Sequence, residues 1–248
     1  MSHQDSLPAP DDTGGMDRSD GKAELQELRK ELPELQERLF ADHRHALLVV
    51  LQGMDAAGKD GTVRHVFAGT NPQGVGVHSF KEPTPLEHDE DFLWRIHQAV
   101  PPKGYIGVFN RSQYEDVLVV RVHELVPESI WRPRFRAIND FERALTESRV
   151  TVLKFFLHIS KDEQAKRFAK RLEDPHRRWK FSAADLKERE NWDAYQAAYA
   201  DVLRECSTDW APWHVVPADH KWYRNLVVAR RIVKTLKGLD LRYPDLNP

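Results

Sequence analysis

The sequence predicts an α/β domain with a mainly parallel sheet of about five strands. Short runs rich in valine, isoleucine, leucine and aromatic residues are apolar throughout rather than alternating, which is typical of strands buried on both faces. Stretches with a helical spacing of apolar residues separate these runs and suit right-handed crossovers between parallel strands. The strands are expected at 46–52, 75–80, 104–109, 151–159 and 213–216, and the helices at 58–69, 88–99, 113–122, 130–147, 161–173, 182–206 and 219–238.

The N-terminal part of the chain divides into two segments. Residues 1–21 are rich in proline, aspartate, serine and glycine, so we expect a disordered lead-in. In residues 22–40 leucines recur at spacings of three and four, which predicts a helix that packs on the domain that follows. A short oligomer contact is the alternative role for this helix. Pro33 is expected to kink or split it, and residues 22–248 are expected to form one domain.

Composition argues against several classes of protein. A net charge of -2 gives no global reason to expect nucleic-acid binding. No stretch approaches the ~20 apolar residues needed to span a bilayer, and the N-terminus lacks the apolar core of a secretory signal. The single cysteine, Cys206, cannot form an internal disulfide, which fits a reducing compartment. We therefore expect a cytoplasmic protein with no nucleic-acid or membrane partner.

A phosphate-binding loop is predicted directly after the first strand. The sequence Gly-Met-Asp-Ala-Ala-Gly-Lys at 53–59 matches G-x-x-x-x-G-K between a strand and a helix. In such a loop backbone N–H groups and a helix N-terminus bind phosphate oxygens, and the lysine adds a positive charge. A glycine-containing turn with a surface lysine is the simpler alternative, because the usual serine or threonine after the lysine is missing. The expected phosphate-binding residues are Gly53, Ala56, Ala57, Gly58, Lys59, Asp60 and Gly61.

Two carboxylates accompany this loop, Asp55 inside it and Asp60 directly after the lysine. An acid close to a bound phosphate is repelled unless a cation lies between them. We therefore expect Mg²⁺, with Mn²⁺ able to substitute, held by carboxylate and phosphate oxygens together. Asp55 is the main candidate ligand, and its alternative role is to orient an attacking phosphate oxygen. Asp60 has the alternative of a first-turn acid that the helix dipole favours.

A polar cluster follows the third predicted strand, where residues 110–116 are Asn-Arg-Ser-Gln-Tyr-Glu-Asp. Ligands of open α/β sheets bind beyond the carboxyl ends of the strands, so we expect Asn110, Arg111, Tyr114, Glu115 and Asp116 to face the same crevice as the phosphate loop. Asp116 has the alternative of an acid at an ordinary helix start. Arg111 suits bidentate recognition of phosphate. Lys81, at the end of the second strand, lies on the same side, with an ordinary surface lysine as the alternative.

A basic segment spans residues 166–191 and carries seven lysines and arginines within positions 166–180. Such a run is usually the solvated face of a helix. In a chain of net charge -2 that also has a phosphate loop, it suits a mobile lid. A lid of this kind closes over a transferring phosphoryl group and excludes water.

Four stretches together resemble the family-2 polyphosphate kinases: 53–61 (GMDAAGKDG), 79–84 (SFKEPT), 110–123 (NRSQYEDVLVVRVH) and 171–195. The similarity covers about residues 22–240. It implies a P-loop kinase-like three-layer α/β/α sandwich with a helical lid, and an aspartate after the loop lysine is usual in that family. It also implies reversible, Mg²⁺-dependent transfer of a phosphoryl group from inorganic polyphosphate to AMP and ADP, by a homodimer or homotetramer.

The resemblance implies roles for individual residues. Asp55 and Lys59 resemble the catalytic pair of the loop, Arg111 the arginine after a Walker B-type strand, and Glu115 the residue of a subclass that accepts nucleoside mono- and diphosphates. Adenine is the expected base, with guanine as a further possibility. Asn110 stands where many members have an aspartate, so Asp55 is expected to carry more of the metal binding. The residues expected along the polyphosphate are Lys81, Arg121, Arg171 and Arg178.

Two other functions fit the same residues. The first is an ATP-dependent nucleoside or nucleotide kinase, which needs the same loop, metal and lid. Only a change of phosphoryl donor distinguishes it from a polyphosphate-dependent kinase. A non-catalytic module that binds polyanions is the second. Asp55 argues against that module, because a passive anion site binds better without a carboxylate.

Overall fold

Five strands form one parallel sheet covered by helices, in a computed structural model that describes residues 7–176, 178–180 and 183–245. The strands are β1 (Ala46–Gln52), β2 (Val75–Ser79), β3 (Ile106–Asn110), β4 (Val150–His158) and β5 (Trp213–Pro217). The helices are α1 (Arg18–Asp42), α2 (Lys59–Val66), α3 (Pro85–Asp89), α4 (Trp94–Ala99), α5 (Val119–Val122), α6 (Glu128–Trp131), α7 (Arg134–Glu147), α8 (Lys161–Glu173), α9 (Ala183–Glu188), α10 (Trp192–Glu205) and α11 (Lys221–Lys237). Residues 1–6 of the predicted lead-in, residues 177, 181 and 182 of the predicted lid, and residues 246–248 of the predicted domain lie outside the described residues.

β1 is the centre of the sheet, whose strand order is β2-β3-β1-β4-β5. It pairs in parallel with β3 and with β4, so that Val49 lies opposite Val108 on one side and Leu153 on the other. All seven residues of β1 are buried, and each large apolar side chain buried in this way contributes roughly 1.5–3 kcal/mol to folding. The predicted parallel sheet is confirmed, and each predicted strand lies within two residues of the observed one.

The chain order places a ligand crevice at the carboxyl ends of β1 and β3. The connection that leaves β1 runs to β2 on one side of the sheet, whereas the connection that leaves β3 crosses to β4 on the other. Adjacent strands with diverging connections leave a cleft between their loops. Helices cover both faces: α11 packs against α1, α2 and β5, while α7 packs against β4.

The longer helices bury one apolar face and expose charged residues on the other. In α11 the buried residues include Leu226, Ala229 and Ile232, and the last turn carries Lys234 and Lys237. Within the described ranges, no helix combines the length and the apolar character needed to cross a membrane.

Helix α1 is longer than predicted and is not split at Pro33. It begins at Arg18, because the side chain of Asp17 accepts a hydrogen bond from the backbone N–H of Ser19, and it ends at Asp42. Of the two outcomes expected at Pro33, the split is wrong and the kink stays a prediction. The packing of the apolar stripe against α11 compensates for the backbone hydrogen bond that a proline cannot make. The buried leucines of the stripe are Leu25, Leu32, Leu35 and Leu39.

The disordered lead-in predicted for residues 1–21 is wrong wherever the structure describes that segment. The carbonyl of Pro8 accepts a hydrogen bond from Nδ1 of His158 (3.1 Å), and the carbonyl of Pro10 accepts one from the N–H of Asp219 (3.0 Å). The segment therefore lies across the carboxyl end of β4 and the loop after β5. A composition rule misses such contacts because they use backbone carbonyls, which every residue has.

His214 is expected to make the fold less stable in acid. Its ring lies in β5 beside the ring of Phe155, with centroids 5.7 Å apart, and burial lowers its pKa from 6.5 to about 4. The unfolded chain therefore binds the proton first, and stability present above pH 6.5 is lost as the pH falls toward about 4. His214→Gln is expected to reduce the loss of unfolding free energy over this range by on the order of 1–2 kcal/mol.

Urea denaturation at several pH values measures this effect. The control is His78→Gln, at an exposed position in β2, which is expected to leave the pH dependence as in the wild type. An equally steep loss of stability in His214→Gln would contradict the assignment.

Candidate active site

The predicted phosphate loop lies between β1 and α2, and its backbone requires its glycines. Gly53 and Gly58 have φ angles of +152° and +107°, values that side-chain-bearing residues rarely adopt. A Cβ on Gly53 would lie 2.7 Å from the carbonyl oxygen of Leu157, and one on Gly58 would lie 1.9 Å from Nη1 of Arg224. The loop is thus packed directly against neighbouring elements on one side.

Buried side chains from other elements hold the carbonyl oxygens of this loop. They are Gln164, which donates to Asp55 (2.9 Å), Arg167, which donates to Ala56 (2.9 Å) and Ala57 (3.0 Å), and Arg224, which donates to Ala57 (2.9 Å). The C=O and N–H of a peptide unit point in opposite directions. Fixing the carbonyls of Asp55 and Ala57 therefore turns the N–H groups of Ala56 and Gly58 toward the other side, where an anion can bind. The N–H of Ala57 donates to the carbonyl of Met54 within the loop (3.0 Å).

The sequence patterns do not indicate Gln164 or Arg224, and they place Arg167 in the lid. Arg167 is buried in α8, and besides the loop it donates to the carbonyls of Ala218 (2.7 Å) and Asp219 (2.8 Å). Its place in a mobile lid is therefore wrong, because it holds together backbone segments of the core. Only Glu163 indicates in the sequence that Arg167 is held in place. It lies four residues earlier on the same helix, and its Oε1 is 2.8 Å from Nε of Arg167. Nothing in the sequence marks Arg224.

Lys59 lies inside the loop and is buried. Its ammonium donates a hydrogen bond to the carbonyl oxygen of Gly53 (2.6 Å) and lies 3.4 Å from that of Met54. Burial lowers the pKa of Lys59, and the nearby carboxylates of Asp55 and Glu115 oppose this change. Because the ammonium is shielded from water, its attraction for the oxygens of a bound phosphate would be stronger than that of an exposed lysine.

Arg111 joins the two sides of the crevice. It follows β3 directly with a left-handed φ of 63°, and its N–H donates to the carbonyl of Leu51 in β1 (3.1 Å). Its Nη2 lies 3.0 Å from Oδ1 of Asp55. The carboxylate of Glu115, and then that of Asp55, raises the pKa of Arg111. The structure thus brings Asp55, Arg111 and Glu115 together at the carboxyl ends of β1 and β3, as predicted. The same prediction is wrong for Tyr114 and Asp116, because both side chains are buried and bind Glu142 and Arg134 instead.

Asp60 and Asn110 form the rim of the same crevice. The side-chain amide of Asn110 donates to Oδ1 of Asp60 at 2.8 Å, so Asn110 orients a carboxylate in the structure. No cluster of three or more histidine, cysteine, aspartate or glutamate side chains suited to a metal occurs among the described residues. The carboxylates of Asp55 and Asp60 nevertheless suit Mg²⁺, which takes one or two carboxylates together with substrate phosphates.

Two tyrosines of α10 border the acidic side of the crevice. The sequence predicts Trp192, Tyr195 and Tyr199 as helix core, and all three are buried. Burial raises the pKa of Tyr199, and the carboxylate of Glu115 raises it further. The ring of Tyr199 stacks on that of Phe156 in β4, with centroids 4.4 Å apart, so this side chain belongs to the core, as helical spacing predicts.

Lys81 and Arg121 are two of the predicted polyphosphate contacts; Lys81 precedes β3 in the chain and Arg121 follows it. The side chain of Lys81 is exposed, and its carbonyl accepts a hydrogen bond from Arg95 (2.8 Å). Arg121 is paired with Asp201 of α10 (2.6 Å) and lies over the ring of Trp131 (5.0 Å to its centroid). These contacts hold Arg121 to α10 and α6 rather than to the phosphate loop.

The predicted lid, 166–191, comprises the later part of α8, α9 and two 3₁₀ turns. Arg171 lies over the ring of Phe168, 5.4 Å from its centroid. Arg178 is exposed, and its Nε donates to the carbonyl of Leu172 (3.0 Å). These two contacts lie within the segment itself, and a role of the two arginines toward phosphate stays a prediction.

Comparison with known proteins decides the family. The family model described as Polyphosphate kinase 2 (PPK2) matches residues 15–243. The chain belongs to the polyphosphate kinase 2 family. It is 54% identical to the AMP/ADP-polyphosphate phosphotransferase of Meiothermus ruber, over 95% of this chain and 89% of that protein. It is 49% identical to the ADP-polyphosphate phosphotransferase of Rhodopseudomonas palustris, over 88% of this chain and 79% of that protein.

A solved structure of the family has the same fold. The crystal structure of polyphosphate kinase 2 from Arthrobacter aurescens TC1 is similar with a TM-score of 0.96 and 46% sequence identity, covering 100% of this chain and 90% of that one. The predicted α/β fold and the resemblance to family-2 polyphosphate kinases are both confirmed.

Substitution of Arg167 tests the support of the loop. Arg167→Met removes the donors to two loop carbonyls and to two carbonyls after β5, and each buried carbonyl left unpaired costs about 1–3 kcal/mol. We expect a loss of unfolding free energy of several kcal/mol and, in the folded fraction, weaker phosphate binding. Chemical denaturation and isothermal titration with tripolyphosphate measure the two effects.

Arg136→Met, at an exposed arginine of α7, is the matched control and is expected to change neither quantity appreciably. Wild-type affinity for tripolyphosphate in Arg167→Met would show that the loop keeps its geometry without this support.

Proposed function

We propose that the protein is a polyphosphate-dependent nucleotide kinase that transfers a phosphoryl group reversibly from inorganic polyphosphate to AMP and ADP. One observation carries the proposal: a phosphate loop with a buried lysine, Lys59, lies next to Arg111. Arg111 in turn interacts with the carboxylates of Asp55 and Glu115. The names of the Meiothermus ruber and Rhodopseudomonas palustris relatives supply the donor and the acceptors.

Lys59 and the loop bind the phosphates next to the transferred group. Phosphoryl transfer requires little covalent chemistry from the protein, so positioning and charge stabilisation account for most of the catalysis. The loop is fixed by Arg167 and Arg224 before any substrate arrives. Its N–H groups therefore need no rearrangement as negative charge develops, which is where preorganised donors are most effective.

Arg111 and Asp55 organise the acceptor. The side chain of Arg111 is 39% exposed, so its remaining donors are open to a nucleotide phosphate while one nitrogen holds Asp55. Asp55, 27% exposed, orients the attacking oxygen. The acceptor phosphate and the carboxylate of Asp55 are both negatively charged. Arg111 reduces the repulsion between them because it lies beside both.

A magnesium ion belongs to the proposal, with Mn²⁺ as a substitute. Asp55 and Asp60 would hold it together with phosphate oxygens, and Asn110 would keep Asp60 in position through its 2.8 Å hydrogen bond. The ion would neutralise charge on the phosphates of donor and acceptor.

The lid and the assembly complete the proposal. Movement of the part of the basic segment that follows Arg167 would bring Arg171 and Arg178 to the polyphosphate, and Lys81 follows the end of β2 on the same edge of the sheet. We also propose a homodimer or homotetramer in the cytoplasm, with guanine nucleotides as further acceptors.

A change of phosphoryl donor tests this function. With Mg²⁺ present, AMP or ADP is incubated with polyphosphate or with ATP, and the nucleotide products are separated by chromatography. We expect ADP and ATP to form from polyphosphate. Lys59→Ala and Asp55→Asn are each expected to lower kcat/KM at least ~100-fold, because Lys59 acts on the developing charge and Asp55 orients the attacking oxygen.

Lys30→Ala, at a lysine that is 74% exposed, is the control and is expected to keep wild-type activity. Transfer from ATP but not from polyphosphate would identify a conventional nucleotide kinase. Near-normal turnover in either loop variant would refute the assigned roles.

Glu115 is proposed to adapt the site to a nucleoside monophosphate. AMP is one phosphoryl group shorter than ADP, so its phosphate needs an extra group to place it or its metal at the transfer point. Glu115→Asn is expected to lower kcat/KM for AMP about 10-fold or more relative to ADP. Steady-state rates with each acceptor measure this ratio, and an unchanged ratio would count against the role.

A further inference from the structure

The 3₁₀ turn Gln113–Asp116 carries Glu115, and the side chains around it are held in the interior. Nε2 of Gln113 and the hydroxyl of Tyr114 both donate to Oε1 of Glu142 in α7, at 3.0 and 2.7 Å. Asp116 is paired on the other side with Arg134 at 3.2 Å. Glu115, by contrast, is half-buried, and its carboxylate raises the pKa of Arg111 and opposes the lowering of that of Lys59.

Glu142 is itself paired with a fully buried lysine. Nζ of Lys154, in the middle of β4, lies 2.5 Å from Oε2 of Glu142, and both side chains are 0% exposed. The same ammonium donates to the hydroxyl of Tyr114 (2.8 Å) and to the carbonyl of Cys206 (2.7 Å). Its three protons therefore each have an acceptor, and the phenol of Tyr114 is bonded to both members of the pair.

Stability alone is a weak explanation for this arrangement. The cost of removing two charges from water offsets most of their attraction, and apolar side chains of the same volume often stabilise a core as well or better. Apolar residues cannot, however, fix a phenol oxygen between two directional partners. Tyr114 is the residue directly before Glu115, so the pair determines where the backbone of the turn lies.

We infer that the buried Glu142–Lys154 pair acts through Tyr114 as a positioning device for Glu115, and so sets the rate with nucleoside monophosphates relative to diphosphates. This inference rests on the role proposed for Glu115. A displacement of about 1 Å in a positioning group can cost on the order of 100-fold in rate. Loss of the hydrogen bonds among Glu142, Lys154 and Tyr114 is therefore expected to lower the rate with AMP more than the rate with ADP.

Tyr114→Phe is the mildest test, because it keeps the ring that packs edge-on against Trp213, with centroids 4.8 Å apart, and removes only the hydroxyl. We expect the ratio of kcat/KM for AMP to that for ADP to fall about 3- to 10-fold. Glu142→Leu combined with Lys154→Met replaces the pair by apolar groups and is expected to lower the ratio at least as much. Val152→Ala, a cavity in the same strand, is the control that lowers stability without changing the ratio.

A double-mutant cycle separates positioning from a structural effect. If Tyr114 acts through Glu115, Tyr114→Phe changes the AMP-to-ADP ratio in the wild type but not in the Glu115→Asn background. Equal changes in both backgrounds, or lower stability of Tyr114→Phe with an unchanged ratio, would overturn the inference. Should the apolar double variant not fold, this cycle still decides.

The proposed function fails separately, if the wild type transfers nothing from polyphosphate to either nucleotide. A ratio that responds to Glu115→Asn but not to Tyr114→Phe would leave that function intact and reject only the positioning role.

Discussion

The hydrogen bonds from Arg167 and Arg224 to the carbonyls of the phosphate loop are the interaction on which the rest of the site depends. They set the direction of the loop N–H groups, and through Arg167 they join the loop to the backbone after β5. The described hydrogen bonds of Arg224 go to the neutral oxygens of Ala57 and Asn225. Its positive charge is therefore not cancelled in these bonds, and it adds to the field that attracts phosphate from behind the loop. Burial and the neighbouring Arg167 lower the pKa of Arg224 to about 9, so it remains charged at neutral pH.

The crevice itself combines acidic and basic side chains, because in the proposed reaction polyphosphate and a nucleotide bind next to the carboxylates of Asp55 and Glu115. Asp55 and Glu115 alternate with Lys59 and Arg111, so each carboxylate is near a cation before substrate binds. Because one nitrogen of Arg111 already holds Asp55, a bound phosphate shares this guanidinium with a carboxylate. A passive anion-binding module would bind phosphate better without that carboxylate.

The sequence predicts the parts of this protein that depend on local patterns. The strands follow from short apolar runs, and the convergence of Asp55, Arg111 and Glu115 follows from their positions after β1 and β3. Gln164 and Arg224 could not be predicted in the same way, because each contacts a loop more than a hundred residues away, and no periodicity marks such a contact. Arg167 shows the opposite error: a basic run suggested solvent exposure, whereas its side chain is buried against four carbonyls. The lead-in before α1 was beyond a composition rule because its contacts use the carbonyls of Pro8 and Pro10.

The two sides of the crevice therefore differ in how they tolerate change. On the β1 side the geometry is fixed through the backbone of the loop, which leaves little room to move any single group independently. On the β3 side it is fixed through side chains, because Tyr114 and Glu142 hold a short turn by directional bonds to Lys154. A substitution in that network can displace one carboxylate while the loop that binds phosphate stays in place. Transfer and acceptor preference then become separable properties of the fold: the first belongs to the loop and its arginines, and the second to a turn anchored in the core beneath it.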